Sequence, residues 1–333
     1  MSHPQNRRPR FERAPVRPMI LTPRDLEILR AVHRYRLLRS THLVALSGGS
    51  RQATLRRLQL LFHHGYLDRP PMQLDWYARG SEPLVYALGK RGAEILEAEG
   101  VVRPRGTRWD TKNRNVSRVF LHHTLAVAEI MVAFEVACRG CEGVRFIPPE
   151  EVLAGAPPET RRLRLAFRWQ VDVRHDGKLH RLGVEPDRAF GLDFQGAPEN
   201  RRHAYFFLEA DRATMPVARK GLAQTSFVRK LLCYQETWRQ GIHRQHLGIP
   251  NFRVLTVTTS RERVRHLVEA CRSLPGGGSR LFLFTDRERL GRGDILAHEW
   301  VDGRGGAGRL GSRSSTPQTS VQTRPFSPGE RLH

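Results

Sequence analysis

Two short acidic clusters lie at the ends of apolar runs that read as β-strands. Glu185–Asp187 (sequence EPD) follows the run 182–184, and Glu209–Asp211 (sequence EAD) ends the run 205–208. Like charges that are crowded at strand ends disfavour one another's ionised forms. A divalent cation that takes hard oxygen ligands, Mg²⁺ or Mn²⁺, relieves this cost. The pattern therefore predicts strands that carry a carboxylate site suited to such a cation.

The rest of the chain is strongly basic. Its formal net charge is +23 over 333 residues, which is enough chain for two ordinary domains. This charge makes nucleic acid the default partner and an anionic membrane the weaker alternative. We find no apolar run near the ~20 residues that a bilayer span needs, and no apolar stretch behind the basic N-terminus. We therefore expect a soluble, cytoplasmic protein with no membrane partner.

The first ordered unit is predicted to hold three helices and a β-hairpin. An N-cap at Thr22, a proline at the first helical position and an acid in the first turn start a helix that runs to about Tyr35. Shorter patterns predict helices over 41–46 and 51–64, strands over 66–68 and 84–88, and a last helix over 90–99. This order, with a glycine-containing turn before the third helix, is typical of a winged helix-turn-helix.

In a winged helix the third helix enters the major groove of double-stranded DNA. Residues 1–70 carry fourteen Lys and Arg against four acids, which favours this interpretation. Alternatively, the arginines only solubilise the helix, or the unit mediates protein contacts; a homodimer on symmetric DNA is left open. The candidate DNA-binding residues are Arg51, Gln52, Thr54, Arg56 and Arg57 on the third helix and Arg79 in the hairpin loop.

The second half alternates strand and helix patterns and predicts a mixed α/β domain, so that the whole chain is α/β in class, or α+β overall. A hairpin turn is expected at Asp176-Gly177, and helices are expected over 217–240 and 261–273. The predicted organisation is a disordered basic arm (1–21), a winged-helix domain (22–100), a linker with a long helix (101–144), an α/β domain (145–302) and a disordered, flexible tail (303–333).

The segments 184–187 (VEPD) and 207–211 (FLEAD) resemble the core of the restriction-endonuclease-like PD-(D/E)XK nucleases. The resemblance implies that Asp187 and Glu209 are metal ligands, with Glu185 or Asp211 assisting. Asp211 occupies the place of the expected catalytic lysine. The positive charge would then come from the following helix, where the sequence offers Arg219, Lys220 and Lys230.

The overall layout is similar to the replication-relaxation family of plasmids and mobile elements. A helix with the sequence LHHTL (121–125), the P-D strand and the motif E-x-D-x-x-T (209–214) carry this resemblance, which covers about residues 22–300. It implies a role in plasmid or mobile-element DNA replication, relaxation or transfer, with replication or relaxosome proteins as partners.

Two functional hypotheses follow. In the first, the α/β domain is a metal-dependent DNA endonuclease or nickase, which requires Asp187 and Glu209 to lie close together. In the second, the protein is a non-enzymatic DNA-binding regulator whose α/β domain dimerises or binds a partner. The second hypothesis expects these acids to lie apart, or to be neutralised by Arg188 and Arg212.

Overall fold

A computed structural model of the chain describes residues 11–15, 17–73, 82–101, 113 and 115–311. The chain forms two compact units, one up to Val132 and one from Ala133 onwards. Both contain helices and sheets, so the predicted mixed α/β class is confirmed. Arg79 and most of the predicted arm and tail lie outside the described residues. Where the arm is described, it packs: the Ala14 amide donates to His63 Nδ1 at 3.0 Å.

The helices of the N-terminal unit begin where local capping signals predict. Thr22 caps α1 in a capping box with Asp25, and Ser50 caps α3 by accepting from the Ala53 amide. Each cap satisfies backbone N–H groups that have no partner inside the helix. The helices of this unit are α1 (Pro23–Tyr35), α2 (Ser40–Ser47), α3 (Arg51–His63) and α4 (Lys90–Ala98).

A three-stranded antiparallel sheet completes this unit. It contains β1 (Leu37–Arg39), β2 (Leu67–Asp68) and β3 (Val85–Leu88) in the order β1-β3-β2. The predicted pairing of β2 with β3 is present, whereas β1 was not predicted. Three residues between two helices are too few to show the alternating pattern by which a strand is recognised.

A seven-stranded mixed sheet forms the centre of the C-terminal unit, in the order β12-β11-β10-β9-β8-β7-β4. β8, β9 and β10 run parallel, and the other neighbours pair antiparallel. β5 and β6 form a separate hairpin. The strands are β4 (Val144–Ile147), β5 (Trp169–His175), β6 (Lys178–Val184), β7 (Arg188–Phe194), β8 (His203–Ala210), β9 (Arg253–Thr258), β10 (Phe282–Asp286), β11 (Trp300–Asp302) and β12 (Ala307–Gly308).

Helices cover this sheet and connect its strands. The predicted helix over 217–240 begins ten residues later than expected, at Phe227, because Ser226 supplies its N-cap. The remaining helices of the described chain are α5 (Arg118–Arg139), which contains the division of the chain between the two units, α6 (Pro149–Ala154), α7 (Pro158–Arg162), α8 (Glu199–Arg202), α9 (Phe227–Arg239), α10 (Ile242–Leu247), α11 (Arg261–Arg272) and α12 (Arg287–Leu290).

Side chains alternate between the two faces of the sheet along β8, and this alternation determines which face carries Glu209. Phe206 packs against Phe190, whose ring centroid lies 5.3 Å away. The next residue, Phe207, points to the opposite face, where it contacts Tyr234 of α9 and Trp169 of the β5–β6 hairpin. Because strand side chains alternate with a period of two, Glu209 lies on the same face as Phe207, towards α9.

Two further expectations from the sequence differ from the structure. The segment after residue 303 does not begin as a flexible tail, because β12 pairs with β11 and extends the sheet. The expectation that no segment approaches a bilayer span is also wrong: α5 is long and apolar enough by length and composition, and an 18-residue stretch of it has a mean hydropathy of 1.5. Most of that apolar stretch (61%) is buried inside the fold, as in the core helix of a globular domain.

The predicted hairpin turn at Asp176-Gly177 is present between β5 and β6. Both residues have positive φ, 47° and 73°, as a two-residue type I′ turn requires. The turn sets the register in which Trp169 pairs with Val184, next to the first acidic cluster.

Candidate functional site

The backbone at the start of β7 fixes Asp187. Its amide donates to the Leu208 carbonyl at 3.0 Å, and its Oδ2 accepts from the Ala210 amide at 2.8 Å. These two hydrogen bonds bracket Glu209 on the neighbouring strand. The first hypothesis requires Asp187 and Glu209 to lie close together, and the structure places Asp187 beside the strand segment that carries Glu209.

Glu209 is buried, at 3% side-chain exposure, and α9 supplies its partners. Lys230 Nζ forms a charge-assisted hydrogen bond with Oε2, and the Tyr234 hydroxyl donates to Oε1 at 2.6 Å. Lys230 and Tyr234 are four residues apart, so they lie on the same face of the helix. We call Asp187, Glu209, Lys230 and Tyr234 the carboxylate–lysine cluster.

Electrostatics couple the members of this cluster. Burial raises the pKa of the Glu209 carboxyl, the Lys230 ammonium opposes this shift, and the Asp187 carboxylate adds to it. Burial would lower the pKa of Lys230, but the carboxylates of Glu209 and Asp187 outweigh burial and raise it. Burial, and then Glu209, raise the pKa of Tyr234 well above its usual value. Lys230 therefore stays a cation that two acids stabilise.

Asp211, which stands where the PD-(D/E)XK motif has lysine, makes different contacts. Its Oδ2 accepts from Thr258 Oγ1 at 2.7 Å and from Arg263 Nε at 2.9 Å. Arg263 also donates to the Met215 carbonyl at 2.6 Å. These bonds join the end of β8 to α11 and to the segment that follows Asp211. The neutralising cation is thus Arg263, which the sequence did not identify.

The remaining predicted residues of this site lie outside the cluster. The Glu185 side chain is 58% exposed and lies 3.9 Å from Arg168 Nε. Lys220 is exposed in the segment between β8 and α9. Arg219 donates to Gln224 Oε1 at 2.5 Å and is thereby held within the same segment. Of the cations that the sequence offered after β8, the structure brings Lys230 to Glu209.

The described residues contain no group of three or more His, Cys, Asp or Glu side chains arranged to hold a metal ion. Mg²⁺, however, is commonly held by one or two carboxylates, with water and substrate phosphates completing its shell. Asp187 and Glu209, which interact electrostatically, supply two such carboxylates. Both Glu209 oxygens already accept hydrogen bonds, so a metal would share them with Lys230 and Tyr234.

On α3, three of the predicted DNA-binding residues are exposed: Arg51, Gln52 and Arg56. Thr54 is different, because it is 1% exposed and its hydroxyl donates to the Ser50 carbonyl at 3.0 Å. The expectation that Thr54 faces outward is wrong. The buried stripe of α3 is Thr54, Leu58, Leu61 and Phe62, and this spacing places Thr54 inside.

Arg57 is held within the N-terminal unit. Its Nε donates to Asp25 Oδ1 at 2.7 Å, and its second nitrogen donates to Asp25 Oδ2 at 2.5 Å and to the Ile20 carbonyl at 2.6 Å. Burial alone would raise the pKa of Asp25, but the hydrogen bonds from Arg57 and Thr22 outweigh it and lower the pKa. Arg57 thus ties α3 to the start of α1, an arrangement that the sequence did not indicate.

Tyr234 is buried, at 2% exposure. Its hydrogen bond to Glu209 was missed, since a phenol four residues after a lysine carries no signal of its own.

A model of the replication-relaxation family matches residues 29–251 of the chain. The matched region extends from α1 to the segment just before β9 and includes every member of the carboxylate–lysine cluster. Comparison with curated proteins and with solved structures found no match.

Proposed function

The chain belongs to the replication-relaxation family, and from this premise we propose a role in DNA processing. The protein would bind double-stranded DNA of a plasmid or mobile element and act in its replication, relaxation or transfer. Its C-terminal unit would be a nuclease-like domain that holds Mg²⁺ or Mn²⁺. Replication or relaxosome proteins are the expected partners.

The carboxylate–lysine cluster carries this proposal. In the PD-(D/E)XK nucleases an aspartate opens one strand and an acid lies within the next, as Asp187 and Glu209 do in β7 and β8. The lysine that these nucleases have two residues after the acid is replaced here by Asp211. Lys230, from the helix that follows β8, supplies a cation to the same carboxylate.

Each member of the cluster has a role in phosphodiester hydrolysis. Asp187 and Glu209 would hold a divalent cation, which when bound supplies a Lewis acid for the phosphate and for a water molecule. Lys230, one-third exposed, reaches both the buried Glu209 and solvent, so its ammonium can stabilise negative charge that develops on the phosphate. Tyr234 keeps the Glu209 carboxylate in one orientation.

The N-terminal unit is proposed to recognise the duplex as a winged helix. Its three helices, with a three-stranded sheet that pairs β2 with β3, have the expected order. Arg51, Gln52 and Arg56 project from the exposed face of α3, where they could meet phosphates and base edges. Thr54 and Arg57 are not part of this proposed surface, because Thr54 is buried and Arg57 is bound to Asp25.

One observation favours a second candidate, a catalytically silent scaffold that only binds DNA and partners. Both buried acids of the E-x-D motif are already paired, Glu209 with Lys230 and Asp211 with Arg263. The sequence suggested Arg188 and Arg212 as the neutralising cations, whereas Lys230 and Arg263 form these pairs. In both cases a basic side chain neutralises the carboxylate charge.

Cleavage of supercoiled plasmid in the presence of Mg²⁺ or Mn²⁺ separates the two candidates. We expect wild type to nick or linearise the plasmid, and Asp187→Asn and Lys230→Met to abolish cleavage. Lys220→Met and the exposed-surface variant Glu262→Gln are matched controls that should retain it. Absence of metal-dependent cleavage by wild type, or its persistence in Asp187→Asn, would overturn the nuclease proposal and leave the scaffold.

A further inference from the structure

A cavity of about 610 Å³ opens between the β5–β6 hairpin and the C-terminal end of α9. Its volume falls in the range of about 300–1,000 Å³ that small-molecule sites occupy. We propose that this cavity binds an unpaired nucleotide of a single-stranded nucleic acid. The inference goes beyond the proposed function, because binding here requires no reaction at Glu209.

Amide side chains give the cavity its chemistry. Gln170, Gln240 and Gln245 all line it, and each amide both donates and accepts hydrogen bonds, as the edges of bases do. Gln240 is fixed in place, since its nitrogen donates to the Asp172 carbonyl at 2.6 Å and to Glu236 Oε2 at 2.8 Å. Gln170 and Gln245 are exposed and make no hydrogen bond with other described residues through their amides. They are therefore available to a ligand.

Arg181 lines the cavity, and the stretch of chain that contains the hairpin is rich in further cations. Residues 161–181, which include the hairpin and the segment before it, hold seven Lys and Arg against two Asp. His246, in the cavity wall, bonds the Ala166 carbonyl at 2.8 Å and so attaches that segment to the cavity. Clustered arginines neutralise a phosphate backbone and release its counterions. The seven cations are Arg161, Arg162, Arg164, Arg168, Arg174, Lys178 and Arg181.

Exposed apolar side chains favour a single strand over a duplex. Leu163 and Leu165 are each 49% exposed, and Leu179 of the hairpin is 64% exposed. Trp238, two residues before Gln240, is 43% exposed and lies parallel to His243 at 4.9 Å. Unpaired bases present faces that stack on such surfaces, whereas a duplex hides those faces within its own stack.

The cavity lies apart from the carboxylate–lysine cluster along the same helix. Lys230 and Gln240 are ten residues apart, which corresponds to about 15 Å at ~1.5 Å per residue. A strand held in the cavity could therefore pass along α9, and its binding can be measured without any cleavage.

Fluorescence anisotropy of the full chain in EDTA tests the proposal. The probes are a labelled mixed-sequence DNA oligonucleotide, the same oligonucleotide as a duplex, and the equivalent RNA. The test variant is Arg181→Ala/Gln245→Ala, in which both replaced side chains are exposed. Gln195→Ala/Arg265→Ala removes the same residue types from exposed positions outside the cavity lining and serves as the matched control.

We expect the test variant to bind the single strand about tenfold more weakly, as loss of base contacts predicts. Its duplex affinity and that of the control for every probe should stay within about twofold of wild type. Gln245→Glu, which places a negative charge in the cavity, should reproduce the selective loss. If the RNA strand shows the same selective loss, RNA shares the site.

Three results would overturn the inference. The test variant could bind the single strand as tightly as wild type does. It could lose single-strand and duplex affinity by the same factor, which would indicate general electrostatic attraction. Finally, the control could lose as much as the test variant, so that the cavity would have no special role.

Discussion

Replacing Lys230 by methionine should destabilise the C-terminal unit, because the buried Glu209 carboxylate would lose its cation. Removing one partner of a buried ion pair costs about 3–5 kcal/mol. Lys230 is 33% exposed and Tyr234 keeps its bond to Glu209, so the lower end of this range, about 3 kcal/mol, applies. The loss should appear in the free energy of unfolding at neutral pH.

The matched variant Glu209→Gln keeps a hydrogen-bond acceptor for Tyr234 and removes the charge. It should cost about 1 kcal/mol, the size of a typical net hydrogen-bond contribution. In the double variant Lys230→Met/Glu209→Gln no buried charge is left without a partner. We expect it to be more stable than Lys230→Met by about 2 kcal/mol, so that the coupling between the two substitutions is about 3 kcal/mol, the upper end of the range for residues in contact.

The effect of Lys230→Met should also depend on pH. Burial and Asp187 raise the pKa of Glu209, and the variant removes the ammonium that opposes this shift. A carboxyl whose folded-state pKa lies above its unfolded value destabilises the fold while ionised, and this destabilisation is lost as the pH falls through the folded-state pKa. The difference between variant and wild type should therefore shrink as the pH falls below neutral.

Urea unfolding followed by tryptophan fluorescence measures these quantities, since Trp169 and Trp300 are buried in the C-terminal unit. The free energy of unfolding of wild type, the two single variants and the double variant is measured first at neutral pH and then at decreasing pH. A cost below about 1 kcal/mol for Lys230→Met, or a cost that does not change with pH, would refute the assignment of Lys230 as the cation that Glu209 requires.

Three further predictions concern the N-terminal unit. Burial lowers the pKa of His42 to about 3, so the unfolded chain takes up this proton first. The free energy of unfolding should fall by about 1.4 kcal/mol per pH unit below about pH 6.5; urea midpoints that do not vary with pH in this range would contradict the burial. Arg51→Ala/Arg56→Ala should reduce the salt dependence of duplex binding by a slope of about 2 and leave stability unchanged. Arg57→Ala should instead lower the free energy of unfolding by about 3 kcal/mol, because the Asp25 carboxylate stays buried without its cation. An unchanged salt slope in the first variant would contradict DNA contact by Arg51 and Arg56. An unchanged urea midpoint in the second would contradict the stabilising role of Arg57.

The parts of the fold that local chemistry determines were predictable from the sequence. The start of α1 follows from Thr22, Pro23 and Asp25, which lie next to one another in the chain and need no tertiary contact to act. The turn at Asp176-Gly177 is likewise a local signal. Short strands such as β1 and β12 were missed because pairing with a distant strand, rather than their own pattern, defines them.

The candidate site was predictable only in part, for the same physical reason. The acids of β7 and β8 could be matched to a motif, and Lys230 could be named among several cations of the following helix. Its selection over Lys220 depends on where α9 begins, which Ser226 determines. The pairing of Asp211 with Arg263 joins residues more than fifty positions apart, and charge pattern alone does not single out that arginine.

We propose that Asp187 and Glu209 together hold a divalent cation beside Lys230. Binding of Mn²⁺ to the full chain, followed by electron paramagnetic resonance with duplex DNA present, tests this claim most directly. We predict a Mn²⁺ site in wild type and in Glu262→Gln that is lost in both Asp187→Asn and Glu209→Gln. Equal Mn²⁺ binding by all four proteins, or no binding by wild type, would contradict the claim and leave the cluster as a structural ion pair.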